Sequence, residues 1–134
     1  IEIGSWEVMT TGQDVLILAV GSMVSRSTDI VERLKEKNIQ AEVINCRFIK
    51  PMDLEYLNNN LSRFSKIVTI EEGVLDGGFG EGVTAWSSGK NLKNEILNIG
   101  LPNDFVDHGP RNVLLEEVGL DSSSLYEKII QFIK

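Results

Sequence analysis

Two acids and five glycines crowd one stretch of the chain, and residues of these types serve either acid–base chemistry or the holding of an anion. Glu71 and Glu72 close an apolar run expected to be a strand over Ile67 to Ile70. Gly73, Gly77, Gly78, Gly80 and Gly82 follow, before a helical pattern expected to start at Val83. Strand, glycine loop and helix start, in that order, let free backbone N–H groups converge on a ligand. Paired carboxylates act as acid and base only when both reach one substrate atom. Neighbours on an extended chain point to opposite sides, so Glu71 and Glu72 form no dyad. One of them is better suited to accept hydrogen bonds from N–H groups of the loop.

The loop fails both nucleotide templates. Gly78-Phe79-Gly80 begins a Gly-x-Gly-x-x-Gly fingerprint, but its third position falls on Val83, with Gly82 one place early. No acid follows the next strand at Ile99 to hold a ribose, and no Gly-Lys-Ser/Thr closes a phosphate loop. Glu71, Glu72, Asp76 and Glu81 oppose a phosphate at this place. Close packing of the loop and helix start against a neighbouring surface is the stronger expectation.

Other reactive residues are sparse. His108 is the only histidine, and without a second His or Cys at ligand spacing it makes no metal site. Asp76, Asp104 and Asp107 form no cation-binding pattern. His108 is expected to hydrogen-bond or sit at an interface, with substrate contact the lesser alternative. Cys46 is the only cysteine, so the chain can form no internal disulfide; it reads as a small buried hydrophobe at a strand end. Gly21-Ser22-Met23 resembles a nucleophile elbow only superficially. Arg47 ends a strand and Arg111 precedes a helix, where parallel sheets meet ligands or partners. A surface salt bridge is the default for each.

The elements that position these residues alternate between strand and helix. Trp6 to Met9 is a short strand and Val15 to Val20 a central one, apolar on both faces. A helix over Ser25 to Lys37 turns Ile30, Val31 and Leu34 inward and ends at Asn38. Ala41 to Asn45 is a strand. Asp53 caps a helix burying Leu54, Leu57, Leu61 and Phe64, with Asn58 to Asn60 and Arg63 facing water. A strand over Ile96 to Ile99 ends at the breaker Gly100-Leu101-Pro102. A short helix over Val113 to Val118, capped by Asn112, is closed by Gly119. The last helix shows a capping box, Ser124 with Glu127, and buries Leu125, Ile129, Phe132 and Ile133. Trp6 and Trp86 are expected in core or interface packing.

This order predicts a single α/β domain. It is a three-layer sandwich with a five-stranded, mostly parallel sheet, helices on both faces and one antiparallel edge strand at Trp6 to Met9. At 134 residues and 42% hydrophobic, the chain is large enough to bury a core. A net charge of -7 argues against nucleic acid and anionic membrane surfaces. No apolar run nears the roughly 20 residues that span a bilayer. The start, Ile1-Glu2-Ile3-Gly4, lacks a signal pattern, and a chain beginning with Ile is expected to be a fragment or processed piece.

Taken together, the segments resemble a known family. Leu18 to Val24 is similar to the first strand and turn of the transketolase C-terminal domain, shared by transketolases, 2-oxo acid dehydrogenase β subunits and 1-deoxy-D-xylulose-5-phosphate synthases. Val43-Ile44-Asn45-Cys46-Arg47-Phe48-Ile49-Lys50-Pro51-Met52-Asp53 resembles the synthases in particular. So do Gly100-Leu101-Pro102-Asn103-Asp104-Phe105-Val106-Asp107-His108-Gly109 and Leu114 to Asp121, and Glu71-Glu72-Gly73 with Gly77 to Gly80 fits the same group. Departures are small: Cys46 stands where Ala is common, and Pro110 where Ser often stands.

The resemblance implies a parent enzyme that joins pyruvate to glyceraldehyde 3-phosphate with loss of carbon dioxide, opening the non-mevalonate isoprenoid route. It implies thiamine diphosphate and Mg2+ bound by upstream domains, a homodimeric parent, and a cytoplasmic (bacterial) or plastid location. This chain would be the C-terminal structural and assembly domain, with no catalytic residue and no cofactor of its own. Its interface candidates are Arg47, Glu71, Glu72, Gly77, Gly78, Phe79, Gly80 and His108. A small-ligand or nucleotide-binding regulatory module is the alternative, as is the matching domain of a transketolase or 2-oxo acid dehydrogenase β subunit.

Overall fold

The computed structural model describes residues 2–102, 116 and 118–134. His108, Arg111, Asn112, Asp104, Asp107 and, apart from Glu116 and Val118, the short helix expected over Val113 to Val118 therefore lie outside the described residues. The elements are β1 (Glu7–Thr10), β2 (Val15–Ala19), α1 (Met23–Lys35), β3 (Ala41–Asn45) and α2 (Leu54–Asn60), which runs into a 3-10 turn (Leu61–Arg63). They continue with β4 (Lys66–Val74), α3 (Phe79–Gly89), β5 (Glu95–Leu101) and α4 (Ser122–Ile133). The sheet order is β1-β3-β2-β4-β5, parallel except for β1. It forms the middle of a three-layer α/β sandwich.

β2 lies at the centre, and all five of its residues are buried because strands flank it and helices cover both faces. The two-residue period divides the core. Val15, Ile17, Ala19, Val68 and Ile70 pack with Ile30 and Leu34 of α1 and Leu125 and Ile129 of α4. Leu16, Leu18, Ile44 and Ile67 pack on the other face with Leu57, Leu61, Phe64, Phe79, Val83 and Trp6.

β1 is the antiparallel edge strand, but it pairs with β3 and not with the strand that follows it in sequence. The chain between β1 and β2 passes the start of β3. There the N–H groups of Gln13 and Asp14 donate to the Gln40 carbonyl at 3.2 and 2.9 Å. A Cβ on Gly12 would stand 2.5 Å from the Ala41 carbonyl carbon, so only glycine fits this crossing.

Several element limits differ from the sequence expectation. β4 does not stop at the acids but continues through them to Val74, with its register to β5 broken between Ile70 and Val74. β5 likewise runs through Gly100 to Leu101. α1 begins at Met23, whose side chain is fully buried, and Asn38 ends the turn with φ +61°. Asp53 does cap α2, but Leu54 points out at 49% exposure, and the half-buried Tyr56 faces inward. The cap of α4 is Asp121, whose carboxylate accepts from the Ser124 N–H at 3.2 Å; Ser124 thus lies inside the first turn and caps nothing. α4 buries Leu125, Tyr126 and Ile129, while Phe132 and Ile133 are only partly covered.

Candidate functional site

α3 begins at Phe79, four residues before the expected Val83. The cause is Glu71, which is 4% exposed. Its Oε1 accepts from the Phe79 N–H at 3.1 Å and its Oε2 from the Gly80 N–H at 2.8 Å. A carboxylate at a helix start satisfies N–H groups that lack helical partners and complements the helix dipole. The first turn of α3 is thus fixed from the strand beneath it. Phe79 adds an edge-on contact to Trp6, with ring centroids 5.8 Å apart.

Two glycines are required by proximity. A Cβ on Gly78 would lie 2.5 Å from Glu71 Oε1, and one on Gly80 would lie 2.4 Å from Thr69 Oγ1 and 2.7 Å from Asn98 Oδ1. Glycine inside a helix costs about 1 kcal/mol in propensity. Here it lets α3 rest directly on β4 and β5. The close packing expected of the loop is therefore internal: its neighbouring surface is the chain's own sheet. Glu72 projects to the opposite side, where Ser22 donates to it through Oγ. The two acids do not share a site.

This arrangement bears on the cofactor that the resemblance implies. Glu71 already occupies the N–H groups of Phe79 and Gly80 with negative charge, so the loop does not fit a diphosphate. Among the described residues, no cluster of three His, Cys, Asp or Glu side chains could hold a metal ion. No step of thiamine chemistry is assigned to these residues.

Arg47 stands apart from the loop. It is exposed, and its guanidinium donates to the Ser5 carbonyl at 3.3 Å and to Ser5 Oγ at 3.2 Å. It fastens the residues before β1, a different task from the surface salt bridge expected of it. Asp53 reinforces that fastening: Oδ2 accepts from the Trp6 N–H at 2.8 Å while Oδ1 accepts from the Tyr56 N–H at 2.9 Å. Cys46 is buried, and that burial, followed by the charge of Asp53, pushes its thiol pKa well up. It is an inert core residue. Beside the loop runs an open groove of about 330 Å³, lined by Ile49, Met52, Gly77, Phe79, Gly82 and Ala85, and also by Lys50 and Glu81.

The opposite end of the sheet holds a polar cluster that sequence reasoning missed. Glu42 on β3 is 4% exposed. Its Oε2 accepts from Tyr56 Oη at 2.6 Å and from Arg63 Nη2 at 2.8 Å, and its Oε1 from the Gly12 N–H at 3.3 Å. Burial and this bond to Glu42 push the Tyr56 phenol well above its ordinary pKa. The cluster lines a cleft of about 580 Å³ together with Val8, Gln40 and Asn60. One signal was available: Glu42 is the single charged residue in the strand Ala41–Asn45, beside Ala41, Val43 and Ile44.

Comparison with known proteins adds to this geometry. The family model described as "Transketolase, C-terminal domain" matches residues 4–125. The 1-deoxy-D-xylulose-5-phosphate synthase of Aquifex aeolicus (strain VF5) is 34% identical over 134 residues, all of this chain and 21% of the relative. That of Geobacillus sp. (strain WCH70) is 38% identical over 130 residues, 96% of this chain and 21% of the relative. The chain therefore spans about a fifth of the length of these curated relatives. Among solved structures, a split-gene transketolase described as an inactive beta4 tetramer superposes with a TM-score of 0.89 at 27% identity, covering 99% of this chain and 43% of that one. A transketolase variant from Pichia stipitis gives 0.71 at 18% identity, covering 97% and 18%, and bears on the fold alone.

Proposed function

The chain belongs to the transketolase C-terminal domain family, and from that premise we propose that it is the non-catalytic C-terminal domain of a 1-deoxy-D-xylulose-5-phosphate synthase. The parent joins pyruvate to glyceraldehyde 3-phosphate with release of carbon dioxide and serves isoprenoid precursor synthesis. Thiamine diphosphate and Mg2+ act in the upstream domains. The parent is a homodimer in the bacterial cytoplasm, and this domain supports the upstream domains.

The observation that carries the reading is identity of 34–38% to proteins named as that synthase, across 96–100% of this chain. The blocks around Arg47 and Gly77 to Gly80 add support, because their residues have structural tasks here. Arg47 and Asp53 hold the residues before β1, and Glu71 holds the start of α3. A domain whose charged groups are spent on its own backbone suits support better than turnover.

The test is direct. The full-length polypeptide, given thiamine diphosphate and Mg2+, is expected to form 1-deoxy-D-xylulose 5-phosphate from the two substrates, and the 134-residue chain alone to form none. Turnover by the isolated chain, or a full-length protein that acts only on other sugar phosphates, would overturn the reading.

A further inference from the structure

The groove beside the glycine loop is lined mostly by apolar residues and glycines. Ile49, Met52, Phe79 and Ala85 line it, together with Gly77 and Gly82. Ile49 is 41% exposed, whereas Phe79 is 3% exposed. An apolar groove with Lys50 and Glu81 also among its lining residues is the kind of surface that another segment covers. The cleft at the other end differs, because Glu42, Arg63, Gln40 and Asn60 give it polar walls.

The path of the chain indicates what reaches this groove. Residues 2–5 lie at the same end of the molecule. A Cβ on Gly4 would stand 3.3 Å from Pro51 Cγ, and Ser5 is bound by Arg47. Trp6 Nε1 donates to the Phe48 carbonyl at 2.9 Å. Polypeptide preceding residue 2 is thus delivered beside Phe48 to Met52, the segment that forms one wall. The curated relatives carry nearly four fifths of their length outside the matched region.

We infer that the groove between Ile49–Met52 and the start of α3 is the docking surface for the upstream part of the same polypeptide, which seats an apolar segment there. This inference rests on the reading of the chain as one domain of a longer synthase. In it, the glycine loop is held rigid by Glu71 so that the groove keeps its shape before the partner surface arrives. The cleft at Glu42 stays open to solvent.

The experiment uses the unmodified full-length polypeptide under brief hydroxyl-radical oxidation, read by mass spectrometry. Ile49 and Val8 have similar exposures here, 41% and 51%. If the groove is covered, Ile49 is oxidised about fivefold more slowly than Val8, as expected for a side chain at the centre of an interface. Comparable rates overturn the inference. A photo-crosslinking residue introduced at Ile49 or at Ala85, both exposed, then identifies the occupant. Crosslinks to peptides upstream of residue 1 support the inference. Crosslinks to residues 103–115, or to the 134-residue region of a second copy, overturn it. Product formation is measured on the same preparation. Activity without protection of Ile49 sinks the docking surface alone, whereas no activity sinks the functional reading itself.

Discussion

Glu71 and Glu42 lie at opposite ends of the sheet and are each 4% exposed, yet their charges are met by different kinds of donor. Glu71 is held by two main-chain N–H groups of α3, which cannot turn away. Glu42 is held chiefly by Tyr56 and Arg63, and the Arg63 side chain is 44% exposed. The first site leaves no room around the carboxylate, since even a glycine Cβ would strike it. The second opens on a cleft that water can enter. A buried acid of the first kind fixes backbone; one of the second kind closes an edge of the core and tolerates adjustment.

The largest expected effect is at the first site. Glu71→Ala leaves two buried N–H groups without an acceptor and should cost about 3 kcal/mol in urea unfolding of the chain. Glu42→Ala should cost about 1 kcal/mol, because water can replace it in the open cleft. Equal costs would break the comparison. Next in size, Gly80→Ala forces a methyl against Thr69 and Asn98 and should lose about 1–3 kcal/mol. Gly82→Ala meets nothing nearer than Met52 Sδ at 3.9 Å and should gain about 0.5 kcal/mol from helix propensity. A destabilised Gly82→Ala would show that the close packing extends past Gly78 and Gly80 to the next turn of the helix.

Smaller effects sharpen the other end. Tyr56→Phe removes one hydrogen bond to Glu42 and should cost about 0.5 kcal/mol. A double-mutant cycle between Glu42 and Arg63 should return less than about 1 kcal/mol, since Arg63 keeps much of its hydration. A coupling several times larger would mean that the cleft is closed to water.

Asp121 supplies a smaller, pH-dependent reference. Its hydrogen bond with Ser124 lowers its pKa below the ordinary 3.8. The folded value lies below the unfolded one, so the stabilisation is present above about pH 4 and is lost as pH falls through the folded value. Asp121→Asn should flatten that acid limb of the stability curve by less than about 1 kcal/mol, as asparagine also caps helices. An unchanged acid limb would remove Asp121 as its source.

The layers of the fold were legible because β2 is apolar on both faces and the helices carry their apolar residues at helical spacing. The start of α3 was not. Glycine at positions 80 and 82 reads locally as a helix breaker, and only the nearness of Thr69 and Asn98, distant in sequence, explains why helix wins there. Opposite orientations for Glu71 and Glu72 followed from strand geometry, and a capping role for one of them was anticipated. Which one caps depended on which face α3 covers. Glu42 went unremarked because its partners come from α2 and the turn after it, a nonlocal arrangement that strand pattern alone does not encode. Arg47 was rightly placed at a strand end, but its bonds to Ser5 depend on where β1 enters the sheet.

That entry has a consequence for solubility. β3 is buried along nearly its whole length, and β1, only four residues long with a register break between Val8 and Thr10, covers its outer edge. A bare β3 would offer a row of N–H and C=O groups to any passing strand, the usual route to edge-to-edge aggregation. The short, irregular β1 satisfies β3 while being itself a poor template for further strands. Loss of the Arg47 and Asp53 fastenings would thus appear first as a sticky protein, before the core is disturbed.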